Sequence, residues 1–355
     1  MPHICRKASK EEYEQIPYHE KELAEINLRN IFGYCFNYVS VITGPYLTYR
    51  TYRDSIVEKY SSDEKLTEPC NRVILEKFKT ILIFGILRFL ANYFWPLERI
   101  FEDEFYIDKS FLYRLWYIWP ASFFFKVRAY IVLIISECIF AAAGVGAYPT
   151  VFQSSPGRGP RTKDPQLLEL WDGTYDFNTT TNCYIYTTET CLSFRGFWRN
   201  WNRCVQYWMV MNVYKRFPSR RYREGVTFFV SAYWHGVSSG YYFSIAMSAL
   251  YFPIEDLCLK RLKSAFPNFP IWLKVCLWIN QLFAFSYMFI AYQLLSFPRV
   301  WKYYNSVYHF GYIVFVCQYA LAFFWPNIST MLFGRKPKNI EEMKENTKPD
   351  GFKRD

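Results

Sequence analysis

The chain has 355 residues, of which 52% are hydrophobic and 22% are aromatic, and its net charge is +11 at pH 7. A soluble core can absorb many aromatic side chains, but it does not require the long charge-free stretches found here, so the composition argues against a soluble globular protein. The basic balance suits an anionic partner, but an excess of Lys and Arg in cytoplasmic loops gives a membrane protein the same balance. We follow this second interpretation for the total charge and predict no nucleic-acid partner.

Seven stretches with little or no charge lie along the chain and predict an all-α, polytopic transmembrane protein. A helix that crosses the hydrocarbon core needs about 20 mostly apolar residues, and several of these stretches approach that length. Gly44-Pro45 and Pro120 each interrupt one of them, which indicates a broken or re-entrant helix in the first case. The stretches are 31–49, 80–95, 112–125, 129–148, 225–252, 275–297 and 303–325.

Charge divides the chain into three predicted parts. Residues 1–30 form a polar N-terminal segment, and residues 31–331 form a membrane-embedded domain. Residues 332–355 form a charged tail, which we predict to be disordered because it cannot bury enough apolar surface.

Two segments of the predicted domain are not spans. Residues 154–165 are rich in Pro, Gly, Ser and basic residues and predict a loop. Residues 196–217 carry apolar side chains at helical spacing and predict an amphipathic helix. Between these segments, Cys183 and Cys191 flank a polar stretch and either form a disulfide or remain free thiols.

His235 is the first candidate for chemistry, because it lies in the otherwise uncharged stretch 225–252. A charged side chain at the centre of a spanning helix costs about 2.5–3.5 kcal/mol, a cost that a neutral imidazole avoids. A neutral imidazole in a dry cavity is a competent general base for a hydroxyl group. The alternative is a histidine that only bonds a neighbouring helix, which is how we interpret His309.

Asn202 is the second candidate, in the sequence Trp198-Arg199-Asn200-Trp201-Asn202. An amide among large aromatic side chains is costly to leave unpaired, so it needs a specific partner. That partner is a ligand oxygen, a backbone group or His235. The alternative is an interfacial asparagine that bonds water.

Two further charged features have both a structural and a functional interpretation. Glu137 lies within a predicted span, and we interpret it as structural, either paired with Arg88 or Arg128 or protonated. A basic cluster follows the amphipathic stretch and is either a solvated loop or a contact for the phosphates of an acyl donor or an anionic head group. The residues of this cluster that we assign as candidate substrate ligands are Lys215, Arg216, Arg220 and Arg221.

Other chemistries find little support in the sequence. It has no Gly-rich phosphate loop and no Gly-x-Ser-x-Gly motif. Its ten cysteines are scattered without the spacing of zinc ligands, so we predict no metal site.

A Trp-Asn helix followed by Trp-His-Gly in an apolar stretch resembles the membrane-bound O-acyltransferases, and within them the lysophospholipid branch. The resemblance runs from Phe36 to about Phe324 and is greatest to the lysophosphatidylinositol acyltransferases. The motifs that carry it are Thr43-Gly44-Pro45-Tyr46, Tyr49-Arg50-Thr51-Tyr52, Phe94-Trp95-Pro96-Leu97-Glu98, Glu102-Asp103-Glu104-Phe105-Tyr106, Gly146-Ala147-Tyr148-Pro149, Cys183-Tyr184 with Cys191, Tyr207-Trp208, Ser231 to Gly236, and Gly240-Tyr241-Tyr242.

This resemblance implies a multi-pass enzyme of the endoplasmic reticulum, with helices around a central tunnel through the bilayer. It implies that His235 is the catalytic histidine and Asn202 its partner. The implied acceptor is lysophosphatidylinositol, and the implied donor is a polyunsaturated acyl-CoA, used as a co-substrate with no other cofactor. The expected partners are therefore acyl-CoA, a lysophospholipid and the bilayer.

The sequence departs from the family pattern in two ways. Ser238-Ser239 replaces a more usual His-Pro before Gly240. The first apolar stretch of this chain starts at Ile31, at a point of the family pattern that other members reach only after several spanning helices. We therefore expect a truncated form. Two alternatives therefore stay open: an acyltransferase for another lysophospholipid (lysophosphatidylcholine, -serine or -ethanolamine), and an inactive membrane protein that binds lipid or a full-length partner.

Overall fold

The computed structural model describes residues 27–40, 44–58 and 64–333, with side chains up to Pro326. Most of the predicted N-terminal segment 1–30 and all but the start of the predicted tail 332–355 lie outside these residues. The three-part division of the chain therefore stays a prediction.

The described residues are mainly helical, which confirms the predicted all-α class. Two short antiparallel strands pair Tyr148 with Asp176 and Pro149 with Tyr175. In chain order the elements are α1 (Leu28–Cys35), α2 (Tyr49–Val57), α3 (Thr67–Phe94), α4 (Asp103–Asp108), α5 (Phe111–Ala142), β1 (Tyr148–Pro149), β2 (Tyr175–Asp176), α6 (Ile185–Thr190), α7 (Phe194–Asn200), α8 (Arg203–Met209), α9 (Arg223–His235), α10 (Ser239–Ala265), α11 (Ile271–Leu294), α12 (Phe297–Ser306) and α13 (Phe310–Phe333).

Among the described helices, α11 alone is long and apolar enough by itself to cross a membrane. Helix α12 and the first part of α13 pass the same test together, but they meet at an angle of 70° and form either a broken span or a re-entrant loop. Tyr308 and His309 create this bend, since both have a positive φ (51° and 52°) that a helix cannot contain. The multi-pass topology stays a prediction.

The predicted span 225–252 is wrong as a single helix. Helix α9 ends at His235, and α10 begins at Ser239. Gly236 has a φ of 128°, which only glycine adopts readily, so the backbone turns out of the helix directly after the histidine. Gly240 then packs so closely that a Cβ atom there would lie 2.2 Å from the carbonyl oxygen of Ala291. His235 is thus the last residue of a helix and not the middle of a span.

The chain folds into two compact units. The described part of the first unit comprises 27–40, 44–58, 64–90, 126–185 and 199–216, and the described part of the second comprises 91–125, 186–198 and 217–333. Asn202 belongs to the first unit and His235 to the second.

Glu137 organises part of the first unit, and its partner is not the predicted Arg88 or Arg128. Its side chain is only 4% exposed, and its carboxylate accepts a hydrogen bond from Lys77 Nζ at 2.5 Å. The other oxygen accepts the backbone N–H of Asn182 at 2.6 Å. A buried carboxylate needs both a cation and hydrogen bonds, and these contacts supply them while joining α3 and α5 to the segment before α6.

We expect Lys77→Met to destabilise the protein by roughly 3 kcal/mol, because it leaves the carboxylate of Glu137 buried without a cation. The measurement is the thermal unfolding of the detergent-solubilised chain. Lys79→Met is the matched control, since Lys79 lies on the same helix with an exposed side chain. Equal melting temperatures for the two variants would contradict this role of the ion pair.

The predicted loop 154–165 is confirmed as non-helical, and it packs firmly in the first unit. Ser154 donates its hydroxyl to Asp176 at 2.7 Å, and Gly157 donates its N–H to the carbonyl of Thr179 at 2.9 Å. A buried ion pair holds Lys163 against Asp54 of α2 at 2.8 Å. These bonds turn a Pro- and Gly-rich stretch into an ordered part of the unit.

Cys183 and Cys191 are not joined by a disulfide in the structure, which favours the second of the two predicted states. Burial raises the pKa of the Cys191 thiol to about 11. Since the thiolate is the reactive form, Cys191 is a poor partner for disulfide formation.

The helices of the second unit are joined by a closed ring of three polar side chains. Asn280 Nδ2 donates to the Tyr251 hydroxyl at 2.9 Å, that hydroxyl donates to Gln318 Oε1 at 3.2 Å, and Gln318 Nε2 donates to Asn280 Oδ1 at 2.6 Å. Each of the three side chains donates one hydrogen bond and accepts one within the ring, which satisfies these polar groups in an apolar setting. It ties α10, α11 and α13 together.

Candidate active site

His235 closes α9 with an exposed side chain, so a substrate can reach the imidazole. Its Nδ1 lies 3.0 Å from the hydroxyl oxygen of Tyr292 on α11, within hydrogen-bond distance. The two rings meet edge to face, with centroids 5.3 Å apart and planes at 81°. The imidazole is therefore fixed at one nitrogen, while Nε2 makes no hydrogen bond given by the structure.

Tyr292 is a candidate site residue that sequence reasoning missed. It lies in the predicted span 275–297 and looks there like any other aromatic residue of a chain with 31 tyrosines. Nothing in its local sequence marks it, because its partner is 57 residues away along the chain. Only the packing of α11 against α9 and α10 reveals it.

Aromatic rings surround this histidine and tyrosine in the second unit. Phe289 stacks on Tyr292 at 5.3 Å, Phe125 meets Tyr292 edge to face at 5.2 Å, and Trp198 of α7 lies 5.9 Å from Phe289. Tyr241 contacts Tyr292 from α10 at 4.7 Å. The rings hold Tyr292 in place and give the hydrogen bond to His235 an apolar wall, which strengthens it relative to a bond in water.

Large apolar side chains next to His235 are themselves exposed. Tyr233 is 65% exposed, Trp234 is 55% exposed and Val237 is 87% exposed. Exposed apolar patches mark surfaces that bind lipid or other apolar partners. The histidine therefore lies beside a surface suited to hydrocarbon.

Asn202 lies in a break between helices, so the predicted continuous helix 196–217 is wrong. Helix α7 ends at Asn200, α8 begins at Arg203, and a π-helical turn follows at Val210–Tyr214. Asn202 has φ 45° and ψ 54°, the left-handed conformation that asparagine tolerates better than most residues. π-Turns and left-handed non-glycine residues both cluster at functional sites.

The side-chain oxygen of Asn202 is buried and makes no hydrogen bond within the described structure. Its N-terminal position before α8 would allow it to cap that helix, yet it forms no side-chain cap. A buried unpaired carbonyl oxygen costs about 1–3 kcal/mol. The fold thus keeps a strained residue with an unpaired buried oxygen, so Asn202 stays a candidate for ligand binding.

The four basic candidates Lys215, Arg216, Arg220 and Arg221 are all exposed, between the π-turn and α9. Their side chains are therefore available to anions, but their role in binding substrate stays a prediction. The joint action of Asn202 and His235 stays a prediction as well.

The contact of His309 agrees with our structural interpretation of this residue. Its Nε2 lies 2.8 Å from Asn305 Oδ1, one helical turn earlier.

Within the part of the chain that the structure describes, no group of His, Cys, Asp and Glu side chains could hold a metal ion.

Comparison with known protein families shows to which family this chain belongs. Residues 13–296 match the family model of the membrane-bound O-acyltransferases. The chain belongs to this family. The matched region includes His235, Asn202 and Tyr292, and it extends through the whole of α11. The protein is thus a member of a membrane-bound family.

Several named proteins are similar to this family member. The membrane-bound acylglycerophosphatidylinositol O-acyltransferase of Drosophila melanogaster is 42% identical over 312 residues, which cover 87% of this chain and 63% of that protein. The Xenopus laevis protein of the same name is 30% identical, over 91% of this chain and 68% of its own length. The human protein of that name is 33% identical, over 79% of this chain and 60% of its own length. The chain therefore spans about three fifths to two thirds of the length of these relatives.

Proposed function

We propose that the chain is an acyl-CoA-dependent lysophospholipid acyltransferase that re-acylates lysophosphatidylinositol with a polyunsaturated acyl chain. The observation that carries the proposal is the accessible imidazole of His235, bonded at Nδ1 to Tyr292 beside an exposed apolar surface. Family membership supports the reaction type, and the names of the similar proteins support the phosphatidylinositol head group. We further propose a multi-pass location in the endoplasmic reticulum membrane.

The proposed reaction is a direct transfer. If Nδ1–H donates to the Tyr292 oxygen, Nε2 keeps its lone pair and can accept the proton of the free glycerol hydroxyl. The hydroxyl oxygen then bonds to the thioester carbonyl carbon, and the carbon–sulfur bond breaks. The sulfur of CoA takes the proton from the imidazolium and leaves as a thiol. The imidazole is neutral again after each turnover, and no acyl-enzyme forms.

Asn202 and the basic cluster are proposed to act on the substrates. The amide of Asn202 orients a substrate or steadies the negative charge that develops on the carbonyl oxygen. Lys215, Arg216, Arg220 and Arg221 are proposed to bind the phosphates of acyl-CoA or of the lysolipid head group. Their exposure supports this assignment.

The test of the proposal is a panel of lysophospholipids with labelled arachidonoyl-CoA, in membranes that lack endogenous activity and contain this chain. We expect lysophosphatidylinositol to give the highest kcat/KM and to compete against the choline, serine and ethanolamine lysolipids. Preference for one of these other head groups would contradict the proposed acceptor. Lipid binding without any transfer would support the inactive, lipid-binding alternative.

We expect Tyr292→Phe to lower kcat about tenfold, a loss near 1.4 kcal/mol, because it removes the hydrogen bond that orients His235 but keeps the ring among Phe125 and Phe289. The measurement is the initial rate at saturating substrates, normalised to protein level. Tyr319→Phe is the control, since the exposed Tyr319 lies on α13 without a hydrogen bond to His235. Unchanged turnover in Tyr292→Phe would show that Tyr292 does not orient the imidazole.

A further inference from the structure

Arg195 joins three helices of the second unit at one point. Its guanidinium makes a two-pronged ion pair with Asp256 of α10, at 3.1 Å from Nε and 2.7 Å from Nη2. Its Nη1 lies 3.3 Å from Glu224 Oε1, and Glu224 is the second residue of α9. The guanidinium also lies over the ring of Phe252, 4.3 Å from its centroid.

Glu255 fixes the backbone on which Arg195 lies. Its carboxylate is 5% exposed and accepts the N–H groups of Phe194 at 2.6 Å and of Arg195 at 2.9 Å. Backbone N–H groups at the start of a helix have no partner inside that helix, so a carboxylate there satisfies them and interacts favourably with the helix dipole. The first turn of α7 is therefore held by α10 through the backbone and through the Arg195 side chain.

A second connection between α7 and α9 consists of aromatic ring contacts. Trp198 of α7 meets Phe228 of α9 edge to face at 6.3 Å. From Trp198 the ring contacts continue through Phe289 to Tyr292, whose hydroxyl is bonded to His235. Helix α9 is thus attached at its first turn through Glu224 and at its last residue through Tyr292.

Isolated ion pairs at a protein surface contribute little to stability. The pair of Arg195 with Glu224 differs from them because other contacts already hold the arginine in place. Arg195 is constrained by a two-pronged pair, by an aromatic face and by its capped backbone, so little freedom is lost in contacting Glu224. Holding the first turn of a rigid helix fixes the place of its last residue. Small displacements of a catalytic group lower the rate steeply without preventing substrate binding.

We propose that Arg195 is a positioning residue that acts through Glu224 on α9 and so sets the place of His235 against Tyr292. The inference rests on the proposed function of His235 as the base. Arg195 touches neither substrate in this account. Its effect is therefore on kcat and not on KM.

The test compares Arg195→Lys, Glu224→Gln and the double variant in membranes that contain the full chain. Lysine keeps the charge but lacks the fork, so we expect Arg195→Lys to lower kcat about tenfold with KM unchanged within about twofold. Since both changes break the same ion pair between Arg195 and Glu224, the double variant should be no slower than Arg195→Lys. Arg199→Lys is the matched control, because Arg199 is exposed on the same helix, and it should keep wild-type kcat.

Three kinetic outcomes would overturn the proposal: a raised KM at unchanged kcat, losses that multiply in the double variant, or wild-type kcat in Arg195→Lys. Amide hydrogen exchange tests the coupling between α7 and α9 without relying on catalytic activity. Arg195→Lys should increase amide exchange in both α7 and α9, and an increase confined to α7 would show that no coupling reaches His235. An inactive wild-type chain would contradict the proposed function, whereas the exchange result would still test the coupling.

Discussion

Replacing His235 with Ala is expected to lower acyl transfer to lysophosphatidylinositol by about 10²–10⁴-fold, the range that general base catalysis contributes. The loss should appear in kcat, because the imidazole acts on the proton of the bound acceptor and is not required to hold it. The measurement is labelled phosphatidylinositol formed from labelled acyl-CoA, at matched protein levels. Helix α9 ends at this residue, so the truncation leaves its helical hydrogen bonds in place.

His309→Asn is the matched control for this change. His309 also lies at a break between two helices, and its φ of 52° suits asparagine. Because its Nε2 contacts Asn305 of the neighbouring turn and not a residue of the proposed site, we expect wild-type turnover. Retained turnover in His235→Ala at a normal protein level would refute the assignment of the base.

Asn202→Asp is expected to lower kcat by about 10²–10³-fold, as the loss of a donor to a developing oxyanion does in other enzymes. Aspartate has nearly the same shape as asparagine and tolerates the left-handed conformation of residue 202, so the turn before α8 is retained. What changes is the amide N–H, which gives way to a negative charge that repels a developing oxyanion. Initial rates at saturating substrates measure the effect.

Asn200→Asp serves as the control, since Asn200 is the last residue of α7 and its backbone carbonyl accepts the N–H of Tyr184, a bond that the substitution leaves in place. We expect its kcat to stay within about twofold of wild type. A similar rate in Asn202→Asp would mean that the side-chain N–H of Asn202 has no part in the reaction. The strain at residue 202 would then need another explanation.

The sequence was sufficient for the helical class, and it also singled out two candidate site residues. His235 and Asn202 stand out because polar groups are costly among apolar ones, and that cost is visible in a sequence. The breaks beside them were not predictable in the same way. Gly236 and Asn202 leave the helix through positive φ angles, whereas the apolar pattern continues through both positions.

Partners that are distant along the chain were also beyond sequence reasoning. Glu137 stood out as a carboxylate within a predicted span, but sequence reasoning offered Arg88 or Arg128 as its cation and missed Lys77, which is 60 residues away. Tyr292 lies equally far from His235 and is one aromatic residue among many. Periodicity tells which face of a helix is buried but not which helix it meets, so such pairs require the packed structure.

The most direct measurement of the central claim is the fate of the acyl group before the acceptor arrives. The purified chain is mixed with labelled arachidonoyl-CoA, and both free CoA and label retained on the denatured protein are counted before and after lysophosphatidylinositol is added. Direct attack by a hydroxyl whose proton goes to His235 predicts no retained label and CoA release only after the lysolipid is present. A burst of CoA equal to the protein, with the acyl group bound covalently to it, would contradict the account, as would the absence of release after the lysolipid is added.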